Sequence, residues 1–246
     1  MVGERNRNLV VVIVGVLLAA LLLLGGYGLW YLFLRPAGPA AVGATALPEA
    51  STGTVASAAP LTGGVDGTWK VDPSVTGSDG SSSFVGYRVQ EELAGFGANT
   101  AVGRTSGVSG SLTIAGTQVT DASFEADLTG LTSDDRNRDR QLGNQGIETN
   151  QFPTATFKLT SPIALGSIPA DGQEISATAA GQLTLHGVTK DVQIPLKAKL
   201  SGNVIVVSGS LPIAFADYNI QKPESFKVLS IEDTGTMELQ LFFTKS

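Results

Sequence analysis

The chain has 246 residues, 42% of them apolar and only 15% charged, with a formal charge of −6 and a pI near 4.8. So acidic a chain lacks the basic face that phosphate binding requires, which excludes a nucleic-acid partner. Cysteine is absent, and with it disulfides, thiolate metal sites, cysteine nucleophiles and an acylated-cysteine anchor. Thirty glycines beside few charged helix formers lean the composition towards strands and turns.

Residues 1–8 form a short polar head with Arg5 and Arg7 opposed by Glu4. From Leu9 to Leu34 no residue is charged, and a bilayer core needs roughly 20 apolar residues in helical form. The span opens on a dense aliphatic run to Leu24 and ends on Tyr27, Trp30, Tyr31 and Phe33, which suit a water–lipid interface. After Arg35 no basic residue appears before Lys70. The pattern predicts a single-pass transmembrane helix over 9–34, with residues 1–8 cytoplasmic and the remainder outside the cell membrane. A cleaved signal peptide is the competing reading. Its apolar core is normally only about 7–15 residues, although Ala44-Thr45-Ala46 would serve as a late cleavage site.

Residues 35–64 are nearly all Pro, Ala, Gly, Ser, Thr and Val, and Glu49 is the only charge after Arg35. Such a segment buries too little apolar surface to offset its ordering entropy, so it reads as a flexible linker reaching about 30 Å. The folded domain is expected over 65–246.

From Trp69 onward, period-two alternation recurs between turn signals. Phe84 to Leu93, Val108 to Ile114 and Val119 to Leu131 read as strands, the last with Ala122, Phe124, Ala126 and Leu128 on one face. A short run through Ala155, Phe157 and Leu159 stops before Pro162. Ile175 to Leu185 passes through His186-Gly187 into a run ending at Leu200, which resembles a hairpin. Val204 to Phe215 and Thr236 to Phe243 complete about eight strands. Most pairs leave no room for a crossover helix, so pairing is antiparallel. Long strands with short connections suit closure into a barrel, while a two-layer sandwich stays open as the alternative. Asp134 to Thr149 is the one stretch with helical character.

Little in the domain points to catalysis. His186 is the sole histidine and stands at the predicted turn, where a local hydrogen bond is the expected role. The run Asp134-Asp135-Arg136-Asn137-Arg138-Asp139-Arg140 mixes both signs and reads as solvated or structural. No phosphate-cradling glycine motif joins a strand to a helix. Tyr218-Asn219 reads as a turn, because Asn tolerates positive φ. What remains is an apolar inventory. Phe84, Tyr87, Phe124, Phe157, Leu183, Leu185, Leu211, Ile213, Phe215, Met237 and Leu239 all lie in strands and are the candidate barrel lining. Eight strands enclose space for packed side chains or one apolar ligand. Alternation does not say which face of a strand points inward.

Gly67 to Asp72, Ser83 to Gly86, Phe152 to Phe157 and Gly181 to Lys190 together resemble the YceI-like family of lipocalin-like, polyisoprenoid-binding barrels, and the long uncharged span with the run Val85 to Glu92 resembles its membrane-anchored actinobacterial branch. Gly67-Thr68-Trp69-Lys70-Val71-Asp72 is similar to the family's opening strand and Ser83-Phe84-Val85-Gly86 to its next. Leu131-Thr132-Ser133 with Arg138-Asp139 and Leu142 fits its serine, arginine–aspartate, leucine stretch. Phe152-Pro153-Thr154-Ala155-Thr156-Phe157 resembles its aromatic-proline signature, and Gly181 to Lys190 is the most specific match. Asp217-Tyr218-Asn219-Ile220 departs mildly, with Asn219 where glycine is usual. The resemblance implies an all-β, extended eight-stranded antiparallel barrel holding an isoprenoid such as a quinone or polyprenyl chain, or a similar amphiphile. It implies no catalytic residue, no metal and no cofactor beyond a bound lipid, and it leaves a homodimer open. The alternative is a cell-surface interaction or structural barrel with a packed core and no ligand.

Overall fold

The computed structural model describes residues 13, 15–16, 18–26, 38–42, 47–51, 64–224 and 227–246. The chain divides into two units, Met1–Gly38 and Pro39–Ser246. In the first, the described residues between 13 and 26 are helical and exposed on every side, with Leu21 to Leu24 at 66–75% exposure. Among the described residues no helix is long and apolar enough to cross a membrane. The rest of the span expected over 9–34 lies outside the described residues.

Among the described residues, ten strands of five residues or more build the second unit: β1 (Gly67–Val71), β2 (Phe84–Leu93), β3 (Gly97–Thr105), β4 (Val108–Ala115), β5 (Gln118–Asp127), β6 (Thr154–Leu159), β7 (Glu174–Leu185), β8 (Val188–Ser201), β9 (Val204–Ala214) and β10 (Val228–Lys245). Eight of them close a ring in the order β1-β4-β5-β6-β7-β8-β9-β10, every pair antiparallel, and β10 returns to β1. Closure leaves no sheet edge along the ring and removes the sandwich alternative. β10 is long enough to have two neighbours on one side. Phe243 to Lys245 pair with β1, while Val228 to Gln240 pair with β2. The β2–β3 hairpin thus extends the wall beyond β1, and Thr132–Ser133 add a short strand to β3.

Local chemistry fixes the register. At the β7–β8 turn His186 (φ 51°) and Gly187 (φ 72°) both take positive φ between the paired Leu185 and Val188. That is a type I′ connection, whose twist matches the flanking strands. In β5 Thr120 is left unpaired opposite Thr113 and Ile114 of β4, a shift that lets both Val119 and Ala122 join the core despite opposite parity. The core holds Trp69, Leu112, Ile194, Leu241 and Phe243, and the Trp69 indole N–H donates to the Val65 carbonyl at 2.8 Å.

The structure corrects several expectations. β3 was not legible as a strand, β10 begins at Val228 and not Thr236, and the run after Asp127 turns into a 3-10 helix at Leu128–Gly130 before Leu131. Within Asp134–Thr149 lie an α-helix α1 (Arg136–Gln141) and a π-helical turn at Leu142–Gly146. Asp135 caps α1, its carboxylate accepting from the Asn137 and Arg138 amides.

Two pieces of the segment read as a flexible linker are held on the barrel's outer wall. The Arg88 guanidinium donates to the Pro39 carbonyl at 2.7 Å and that of Arg104 to the Ala40 carbonyl at 3.2 Å, while the Val42 amide donates to Glu238. Further along, Leu47 is buried with Val75, Val204, Val206 and Phe242. Lys199 Nζ donates to the Leu47 carbonyl at 2.8 Å and to Glu49 at 2.7 Å. Ala50–Ser51 pair with Thr76–Gly77.

Candidate functional site

Alternation on the barrel strands sends one set of side chains inward, and these sets enclose two apolar cavities. The first, about 170 Å³, is lined among others by Leu112, Phe124, Phe157, Leu196, Ile205, Leu239 and Phe243. The second, about 140 Å³, is lined by Tyr87, Val89, Leu128, Leu142, Ile147, Leu185, Ile213, Phe215 and neighbours. Val85, Ala155, Leu183 and Met237 border both, so the two meet at a common waist. β7 runs past the whole system, from Ile175 on the first cavity to Leu185 on the second, roughly 33 Å of strand at about 3.3 Å per residue. At a strand tilt of about 40° this projects to about 25 Å along the barrel axis.

The candidate lining residues are therefore brought together, apart from two. Phe84 sits on the opposite face of β2 from Val85 and Tyr87, lines neither cavity, and carries the Arg104 guanidinium 3.9 Å above its ring. It reads as lining in the sequence because its outward face is also buried, at 7% exposure. Leu211 packs against the cluster of Leu183, Ile213 and Tyr218 without bordering either cavity.

Polar groups gather at one end of the second cavity. Arg138 Nη2 donates to Glu91 at 2.6 Å, and Nη1 to Asp134 at 2.5 Å. Asn99 Nδ2 also donates to Glu91. Asp139 accepts from the Ser133 amide and hydroxyl, at 2.9 and 2.6 Å. The charged run is thus only partly solvated. Arg138 crosses to β2, 47 residues away, instead of pairing only with its sequence neighbours. Beside this cluster Tyr87 lies over Gly103, where any Cβ would come within 2.3 Å of the ring. Burial pushes the Tyr87 phenol up to about 12, with Arg138 pulling it down and Asp139 and Glu91 pushing it further up. Glu91, Arg138, Val85 and Ala155 escaped sequence reasoning, since Arg138 and Glu91 meet only through the fold and Ala155 carries no distinctive chemistry.

His186 is buried and bonds far from its own turn, contrary to the local role expected. Nδ1 meets the Tyr218 carbonyl and Nε2 the Glu148 carboxylate, both at 2.9 Å. A carbonyl only accepts, so Nδ1 donates to Tyr218. The Phe152 ring lies 4.3 Å from the imidazole and also covers Gly187. Asn219 caps the 215–218 turn in the left-handed region, as its residue type predicts. Three of the motif segments, around Phe152, His186 and Tyr218, therefore converge at one end of the barrel and tie its loops together. Among the described residues no cluster of His, Asp and Glu is placed to hold a metal ion.

Comparison with known proteins follows the same lines. Residues 69–243 match the YceI-like domain. A polyisoprenoid binding domain from Saccharophagus degradans, implicated in plant cell wall breakdown, superposes with a TM-score of 0.55 at 20% identity, over 72% of this chain and 98% of that one. BcnA of Burkholderia cenocepacia gives 0.52 at 20% identity, over 65% and 95%. At that identity the likeness speaks for the fold. No curated protein is significantly similar in sequence.

Proposed function

The chain belongs to the YceI-like family, and from that premise we propose that its barrel holds the tail of an isoprenoid, or of a similar amphiphilic lipid, outside the cytoplasm and close to the cell membrane. The observation that carries this is the interior itself, two apolar cavities sharing Val85, Ala155, Leu183 and Met237 along roughly 33 Å of strand. A long, narrow, apolar space suits an extended chain. Burying such a chain is favourable by about 25 cal/mol for each Å² withdrawn from water. The relative from Saccharophagus degradans, a polyisoprenoid binding domain, supports the same ligand class. The N-terminal part of the proposal rests on the uncharged stretch from Leu9 to Leu34 and on the exposed leucines of its described helix, which require lipid or protein cover. Native mass spectrometry of the full chain from its own host, followed by organic extraction, tests the reading. A bound prenyl lipid is expected. Protein that carries no lipid and takes up no prenyl probe would sink it.

A further inference from the structure

Tyr87 lines the polar end of the second cavity beside Glu91 and Arg138. Tyr87 Oη is fully buried and, among the described residues, has no hydrogen-bond partner. Ser133, the hydroxyl beside it, donates to Asp139 Oδ1 at 2.6 Å and already accepts from the Asp135 amide at 3.2 Å and from Arg138 Nη1 at 3.4 Å. A buried donor left unsatisfied costs the protein its desolvation energy, so such groups recur where something else completes them. The two cations lining this cavity are already engaged. Arg138 is held by Glu91 and Asp134, and Lys222 donates to Asp233 at 2.6 Å and to the Ile231 carbonyl. Around the phenol, one guanidinium stands against the carboxylates of Glu91, Asp134 and Asp139.

We infer that Tyr87 is a head-group residue, its hydroxyl donating to an uncharged hydrogen-bond acceptor on the lipid, a carbonyl or hydroxyl oxygen, and that the site disfavours a phosphorylated head. This rests on the lipid-binding reading above and narrows it to neutral-headed amphiphiles. The charge balance gives the reason for the second half. A diphosphate would enter a pocket whose two lining cations, Arg138 and Lys222, are already paired with carboxylates, so it would have to break one of those pairs or remain uncompensated. A neutral oxygen needs only the one donor that is unused. Gly103 makes the arrangement feasible by letting the phenol ring lie against the β3 backbone.

The test uses three ligands with one tail: geranylgeraniol, a naphthoquinone bearing the geranylgeranyl chain, and geranylgeranyl diphosphate. The hydrocarbon squalene serves as a headless control. Each competes with a fluorescent prenyl probe on the full chain, wild type and Tyr87→Phe. The alcohol and the quinone should outcompete the diphosphate. In Tyr87→Phe they should weaken about tenfold, the loss of one buried hydrogen bond, while squalene is unmoved. Lipid-free Tyr87→Phe should melt no lower than lipid-free wild type, because the change removes an unsatisfied group; a lower melting temperature would mark the hydroxyl as structural and overturn the assignment. Equal affinities for all heads, a preference for the diphosphate, or no effect of Tyr87→Phe on neutral heads would also overturn it while leaving lipid binding intact. If the prenyl probe itself does not bind the delipidated full chain, the lipid-binding reading itself falls.

Discussion

Stripping the barrel of lipid should cost stability in proportion to the space left behind. A cavity destabilises by about 24 cal/mol per Å³ in cores that relax only partially, so the 170 Å³ of the first cavity corresponds to ~4 kcal/mol. By linkage, a ligand recovers that amount when present at about a thousand times its dissociation constant. For a domain of this size each kcal/mol moves the melting temperature by about 2–4 °C. Differential scanning calorimetry of lipid-loaded and exhaustively delipidated full chain should therefore show a gap of about 8–16 °C. Ala177→Leu places carbon in the same space and should narrow the gap from both sides, raising the stripped form and weakening the ligand's contribution. Loaded and stripped protein melting within about 2 °C of each other, less than the shift expected from 1 kcal/mol, would refute the reasoning, because the interior would then be adequately packed by its own side chains.

Three further outcomes follow from other parts of the molecule. His186→Ala removes two buried hydrogen bonds and the Phe152 contact and should cost about 2–4 kcal/mol in urea unfolding; His186→Asn, which tolerates positive φ, should cost less. Gly187→Ala must hold a Cβ 2.8 Å from the Phe152 ring at a φ of 72°, so a loss of about 1–3 kcal/mol is expected in the same assay, and a neutral result would mean that the hairpin re-forms with another turn. Glu49 is held below its ordinary pKa by hydrogen bonds from Lys199 and Ser201, and Glu174 by those from Lys197 and the Leu47 amide. Docking lowers the Glu49 value, and it adds the Leu47 contribution to a Glu174 value that Lys197 already lowers within the barrel. The contribution is therefore complete above the ordinary glutamate range and lost as pH falls through the lowered values. Amide NMR shifts of Leu47 and Ala50 should move to free-chain positions over that acidic interval; shifts that stay fixed throughout would show that apolar contacts at Leu47 hold the segment unaided.

The strand plan was largely legible because period-two alternation survives wherever one face meets a core. It failed at β3, where Gly97, Ala98, Asn99, Thr100 and Ala101 carry no branched apolar side chain to mark a face. It also failed at the start of β10, where Glu232 and Asp233 interrupt the pattern across two register shifts. The lining was legible in composition and only partly in direction. Phe84 and Phe242 lie on outer faces that residues 38–42, residues 47–51 and Val75 help to bury, so these outward positions are as apolar as inward ones. No local signal distinguishes them. The polar end of the cavity was hidden for a different reason: Arg138 and Glu91 are 47 residues apart, and only closure of the barrel brings them together.

The double neighbourhood of β10 has a kinetic consequence. The seam that completes the ring joins Phe243 to Val71, and beside it Thr244 donates to Asp72, 172 residues away. Contacts so distant in sequence are penalised by loop-closure entropy until the intervening strands are in place. The β7–β8 and β8–β9 hairpins can form early, whereas the seam should zip last and govern the overall folding rate. That order of assembly would pass through an open, curved sheet with its apolar face uncovered, along which a long lipid could be laid and wrapped instead of threaded through a finished mouth. Refolding the chain with and without prenyl lipid separates the two routes: wrapping predicts faster burial of the lipid than the finished barrel achieves.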